Sequence, residues 1–95
     1  MILLPLVELD ALIPYKVASV GETVEFEVNI TKKMELPIKW RHNGVEAASW
    51  DNQLKIEIQD VQSENAGIYE CFYEGRRNEG VHALMRLIVR SKLRF

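Results

Sequence analysis

The side chains that could do chemistry are few in this chain, and they are far apart. Histidine occurs twice, at His42 and His82, and cysteine once, at Cys71. A metal site needs three or four His, Cys or carboxylate ligands at close spacing. Neither histidine has a second ligand at such spacing, so no metal is expected. No Ser/His/Asp set can be assembled, no glycine-rich phosphate loop opens a helix, and no cofactor motif occurs. Glu25 and Glu27 are two residues apart, which on a strand makes them neighbours on one solvated face rather than an acid and a base across a cleft. Catalysis is not expected. Cys71 has no internal disulfide partner, and no Lys or His is placed to activate it. It reads as a buried small hydrophobe, with a redox role or an intermolecular bond as the alternatives. The remaining chemical handle is Asn29-Ile30-Thr31, an N-glycosylation triplet with Asn29 as the acceptor. Such triplets also arise by chance.

The elements that position these residues are strands. Val24, Phe26, Val28 and Ile30 alternate with Glu25, Glu27 and Asn29, as expected for a strand with one buried and one wet face. Ile38 and Trp40 alternate with Lys39 and Arg41 up to Asn43-Gly44, a hairpin turn signal. Leu54, Ile56 and Ile58 form a third such run, and Tyr69, Cys71 and Tyr73 a fourth. Ala83, Met85, Leu87 and Val89 form a fifth. The stretch from Leu3 to Val17 is interrupted by Pro5 and Pro14, which suits an edge strand that breaks and switches sheets. The polar run Ser63-Glu64-Asn65-Ala66-Gly67 reads as a corner with a single helical turn. Short strands at regular turn spacing mean a sandwich or a barrel.

With 95 residues, 47% of them apolar and 27% charged, the composition fits one soluble domain over residues 1–95 with its core at about 6–90. The formal net charge is −2 and no basic stripe stands out, so no nucleic acid is expected as partner. Arg86, Arg90, Lys92 and Arg94 are spaced along one strand and its tail as a solvated end. The longest apolar run, Met1 to Val7, is too short to span a bilayer and lacks the flanks of a secretory signal, so no membrane insertion by this stretch is expected. The chain reads as one module of a longer protein.

The residues Asn65-Ala66-Gly67-Ile68-Tyr69-Glu70-Cys71 resemble the Asp-x-Gly-x-Tyr-x-Cys motif on strand F of the immunoglobulin superfamily. Tyr69 stands two residues before Cys71, as in a tyrosine corner. Trp40 stands where strand C carries its buried tryptophan. Leu54-x-Ile56-x-Ile58-x-x-Val61 resembles strand E, and Gly21-x-x-Val24-x-Phe26-x-Val28 resembles strand B. The resemblance implies an all-β Greek-key sandwich of the intermediate or C2 type, with Val28, Trp40, Tyr69 and Cys71 as its structural core. Two departures follow. Val28 replaces the strand B cysteine, so the inter-sheet disulfide is missing. Asn65 replaces the usual Asp, and its usual Arg partner is absent from Trp50-Asp51-Asn52-Gln53. The stretch from Trp40 to Leu54 is too short for a C″ strand.

Alternation also sorts the surface. One face presents Glu25, Glu27, Asn29, Lys55, Glu57 and Gln59. The other presents Lys39, Arg41, Glu70, Phe72, Leu84, Arg86 and Ile88. Phe72, Leu84 and Ile88 beside Arg41 and Arg86 have the composition of an interface core, for a protein ligand, a neighbouring domain or a homophilic contact. Scattered surface hydrophobes are the bland alternative. The loop Glu74-Gly75-Arg76-Arg77-Asn78-Glu79-Gly80 suits a mobile hairpin that is either solvated or used in recognition.

Finer likeness is found on the last strand. Ala83-x-x-Arg86-Leu87-Ile88-Val89-Arg90, with Gly67-x-Tyr69-x-x-x-Tyr73, Asn43-Gly44 and Leu4-Pro5, is similar to the second immunoglobulin domain of the Tie receptor tyrosine kinases. That domain lacks the strand F cysteine, which Cys71 keeps here. This likeness implies a cell-surface receptor module contacting an angiopoietin-like ligand through Asn43, Gly44, Val45 and Glu46, with Ser49 and Trp50 beyond. The rival reading is an intracellular muscle or cytoskeletal immunoglobulin domain, in which the module is a spacer or docking site and a free Cys71 suits the reducing cytosol.

Overall fold

Alternating apolar residues close into two sheets in the computed structural model, which describes residues 9–11, 14–30, 35–75 and 82–91. The strands are β1 (Leu9–Ala11), β2 (Tyr15–Ser19), β3 (Val24–Ile30), β4 (Ile38–His42), β5 (Val45–Glu46), β6 (Lys55–Ile58), β7 (Gly67–Tyr73) and β8 (His82–Arg90). Three strands, in the order β1-β3-β6, make one sheet, and five, in the order β2-β8-β7-β4-β5, make the other. Among the described residues no helix is long and apolar enough to cross a membrane.

The N-terminal stretch does switch sheets. β1 pairs antiparallel with β3 while β2 runs parallel to β8. Pro14 lies between them. It has no N–H to offer a ladder, and its carbonyl accepts from the Arg86 N–H at 2.8 Å.

The core is the inward half of each alternation. Val24, Phe26 and Val28 from β3 and Ile56 and Ile58 from β6 meet Trp40, Tyr69, Cys71, Tyr73, Met85 and Leu87 from the larger sheet. Val28 and Cys71 both belong to this cluster, so the position of the missing disulfide is filled by apolar packing. Burial, with a smaller contribution from the Glu70 carboxylate, pushes the Cys71 thiol up to about 12. Trp40 is buried and its indole N–H donates to the Gln53 carbonyl at 2.8 Å. Leu54 departs from the expected strand. It precedes β6 and is 38% exposed, while its carbonyl accepts from the Val28 N–H.

Asn43 and Gly44 form the expected two-residue turn between β4 and β5, with φ of 51° and 83°. Positive φ at both positions is the signature of a type I′ turn, which matches the right-handed twist of its strands. The polar corner forms a 3₁₀ turn at Ser63–Asn65, and the Asn65 side chain accepts the Gln62 N–H at 2.7 Å. Residues 47–54 hold another short 3₁₀ turn and no further strand. Asn52, with φ 64°, pairs with Ile38 in both directions: its N–H donates to the Ile38 carbonyl, and its side-chain oxygen accepts the Ile38 N–H.

Candidate protein-binding surface

The five-stranded sheet carries three zones, the first at its end and the other two on its outward face. The first is a corner at the start of β7. The Tyr69 hydroxyl donates to the Asn65 carbonyl at 2.5 Å, the tyrosine-corner bond expected from the sequence. Burial pushes its phenol up to about 12. His42 stacks on the Tyr69 ring at 4.2 Å and its Nε2 donates to the Ala66 carbonyl at 2.9 Å. Asn43 reaches the same segment. Its side-chain oxygen accepts the Ile68 N–H at 2.9 Å, its amide donates to Ala66, and its backbone N–H donates to the Ile68 carbonyl. Gly67 sits beneath this side chain at φ 124°, and a Cβ there would collide with the Asn43 carboxamide. Asn43, expected from the Tie likeness to face a ligand, is thus engaged within its own domain.

The second zone is a polar belt. Lys39 bonds Asp51 at 3.0 Å and approaches Glu74 at 3.7 Å, and the hydrogen bond to Asp51 raises its pKa. His82 Nδ1 lies 2.7 Å from Glu70 Oε2. Arg41 donates from Nε and Nη2 to the Gly44 carbonyl. Phe72 lies in this belt, between Lys39 and His82 in register. It was expected to project outward as a contact residue, but it is only 7% exposed, and Glu70 only 6%. Strand alternation assigned their face correctly. It does not show that cross-strand neighbours held by ion pairs and hydrogen bonds leave little of that face open.

The third zone is apolar around one cation. Across the sheet, Tyr15 of β2, Arg86 of β8 and Ile68 of β7 share a row. Leu84 and Ile88 stand on either side of Arg86 along β8, and Val17 is beside Ile88. Tyr15, Val17, Ile68 and Leu84 are 42–53% exposed, and Ile88 is half-buried. Among the described residues no carboxylate pairs with the Arg86 guanidinium. Leu84, Arg86 and Ile88 come together as the alternation of β8 requires. Tyr15, Val17 and Ile68 were missed. Ile68 carries the same outward phase as Phe72, which is two steps along from it, so the signal was present. Tyr15 and Val17 lie in the proline-interrupted stretch, where broken alternation carries no facing signal.

Among the other candidate contacts, Trp50 is half-buried and packs edge-on against Trp40 at 6.2 Å and near Tyr69 at 5.8 Å. Ser49 is exposed beside it. Val45 and Glu46 project from the short edge strand, away from the apolar zone. On the opposite sheet Asn29 is exposed. Of the loop between β7 and β8, Glu74 and Gly75 are described and residues 76–81 lie outside the described residues, as do Leu4, Pro5, Lys92 and Arg94.

Comparison with known proteins agrees with this architecture. The family model for the immunoglobulin I-set domain matches residues 8–84. The four N-terminal immunoglobulin domains of Dscam1 isoform 7.44 superpose with a TM-score of 0.73 at 20% identity, covering 88% of this chain and 21% of that one. Isoform 4.44 gives 0.74 at 20%, with the same coverage. The eight N-terminal immunoglobulin domains of Down Syndrome Cell Adhesion Molecule isoform 1.30.30 give 0.74 at 18%, covering 90% of this chain and 12% of that one. The chain therefore spans about a fifth or less of these structures, and the likeness is one of fold. A search of curated proteins finds no matching sequence. The chain belongs to the immunoglobulin I-set family.

Proposed function

We propose that this I-set domain works by binding another protein through the outward face of its five-stranded sheet, as a module of a larger cell-surface adhesion or receptor protein. One observation carries the reading: five apolar side chains lie around Arg86, which pairs with no carboxylate among the described residues, on a sheet whose other outward charges are largely paired. Arginine within an apolar ring is the composition of an interface hot spot, because excluding water strengthens a charge-assisted hydrogen bond to an incoming carboxylate. The partner is therefore a protein surface with apolar contact area around an Asp or Glu. A symmetric self-contact centred on this zone would bring two Arg86 guanidinium groups together, which favours a different protein as the occupant.

Binding rather than catalysis suits how the chemical groups are used. His42 serves the tyrosine corner, His82 meets Glu70, and Cys71 is a buried thiol held protonated. The protonated thiol is inert in an oxidising or a reducing compartment, so it no longer favours the intracellular spacer reading. The cell-surface setting is supported by the Asn29 triplet. The segment implied by the Tie likeness has Asn43 and Trp50 engaged internally, and its exposed Gly44, Val45, Glu46 and Ser49 form no apolar cluster around a cation, so the contact is assigned to the sheet face.

The test displays the domain as a tetramer and measures its binding to intact animal cells. Arg86→Glu and Leu84→Asp should each weaken binding at least tenfold, and Val45→Asp should leave it unchanged. Unchanged binding of the first two, with both folded, would overturn the proposal.

A further inference from the structure

The outward face of the three-stranded sheet differs from the binding face in kind. It carries Glu25, Glu27, Asn29, Lys55 and Glu57 in the exposed phase of β3 and β6. Lys55 approaches Glu25 at 3.6 Å, and Glu25 lies directly across from Glu57. None of the exposed large hydrophobic residues belongs to β3 or β6. Asn29 stands in this face on the central strand, opposite Asp10 of β1 in register. Its backbone belongs to the ladder. Its side chain is exposed, and among the described residues its carboxamide has no hydrogen-bond partner.

We propose that Asn29 carries an N-linked glycan and that this sugar makes the domain one-sided. The modification joins the Asn29 Nδ2 to C1 of the first sugar of a lipid-linked oligosaccharide diphosphate. The C1–O bond to the diphosphate breaks, the lipid diphosphate leaves with the electron pair, and the Nδ2 proton passes to a base. Asn29-Ile30-Thr31 supplies the acceptor triplet. The folded domain tolerates the product, because the side chain already points into solvent from a charged face. Two packed sheets stand about 10 Å apart, so a sugar on one outward face leaves the other uncovered. Contact is thereby confined to the face bearing Arg86, and this second half of the inference rests on the proposed function.

The experiment secretes the whole chain from animal cells behind a leader peptide and reads its intact mass before and after an amidase that cleaves glycosyl-asparagine to Asp. Wild type and Thr31→Ser should carry one glycan that the amidase removes, and Asn29→Gln and Thr31→Ala should carry none. If the chain is retained in the cell, translation into microsomes reads the same modification as a gel shift. A folded wild-type chain with its unmodified mass would overturn the inference. Binding to cells supplies the second readout. Asn29→Gln should bind within twofold of wild type, and a tenfold loss would overturn the one-sidedness. Loss of the glycan and insensitivity to Arg86→Glu are separate outcomes, so failure here is distinct from failure of the binding face.

Discussion

The corner at the start of β7 and the apolar zone beside it share a sheet, and even share a residue, yet they handle polar groups in opposite ways. In the corner, the Tyr69 hydroxyl, the His42 imidazole and the Asn43 carboxamide each meet a backbone group. In the neighbouring zone, no carboxylate among the described residues pairs with the Arg86 guanidinium. Ile68 sits on the boundary: its backbone is bonded to Asn43, while its side chain is left exposed beside Arg86. A paired polar group contributes to folding, because breaking it strands its partner. A cation without such a pair adds no ion-pair energy to the fold, and its donors are open to a partner's carboxylate. The same strand thus separates a stabilising region from the proposed contact zone within a few residues.

The largest expected effect sets the reserve against which the corner can be weighed. Val28→Cys should form a disulfide with Cys71, since both occupy the core position where the family carries its bridge. Closing a loop of about 44 residues restricts the unfolded chain by about 4 kcal/mol in the chain-entropy model. Thermal unfolding under oxidising conditions should shift up by about 15 °C or more and return toward wild type on reduction. An unchanged midpoint with the bridge formed would mean that Val28 packing already supplies what the bridge would add. The stapled chain then carries corner substitutions without unfolding.

In that background, Gly67→Ala should cost about 3 kcal/mol. It adds the strain of a Cβ at φ 124° and displaces Asn43, so the Ile68 N–H and Ala66 carbonyl lose a partner. Urea unfolding reads the loss directly. A cost below about 0.5 kcal/mol would show that the corner is not held by this contact.

Tyr69→Phe should cost about 1 kcal/mol through the lost bond to Asn65. It should also flatten the alkaline limb of the stability curve. Cys71 and Tyr69 are held neutral in the fold, both pushed up to about 12 from ordinary values of 9.0 and 10.0. The unfolded chain loses these protons first, so stability is full below about pH 9 and falls as pH rises toward about 12. Denaturation midpoints across that range should fall less steeply in Tyr69→Phe, and in Cys71→Ala the fall should begin about one unit later.

How legible each region was follows from the range of its contacts. Val28, Trp40, Tyr69 and Cys71 could be placed from local alternation and spacing, and all four are buried as expected. The Asn43–Gly44 turn was equally plain. What Asn43 does with its side chain was not, because its partners lie more than twenty residues further on, and turn chemistry says nothing about them. Phe72 shows the same gap from the other side. Alternation fixes which way a side chain points, and burial depends on what neighbouring strands lay over it. Tyr15 and Val17 depend on the register of β2 against β8, a parallel pairing between opposite ends of the chain that no short window contains.

The smallest stability effect tests the comparison most sharply. Leu84 is 49% exposed at the edge of the Arg86 zone and is outside the core cluster. Leu84→Ser should change unfolding free energy by no more than about 0.5 kcal/mol, as surface substitutions away from packed or capped positions do. The same substitution should still weaken cell binding, because the apolar ring around Arg86 is what excludes water from the contact. Measured side by side, Tyr69→Phe should lose stability and keep binding, while Leu84→Ser keeps stability and loses binding. If Leu84→Ser were instead to destabilise as Tyr69→Phe does, the exposed zone would be part of the fold, and the division between a stabilising corner and a recognising face would collapse.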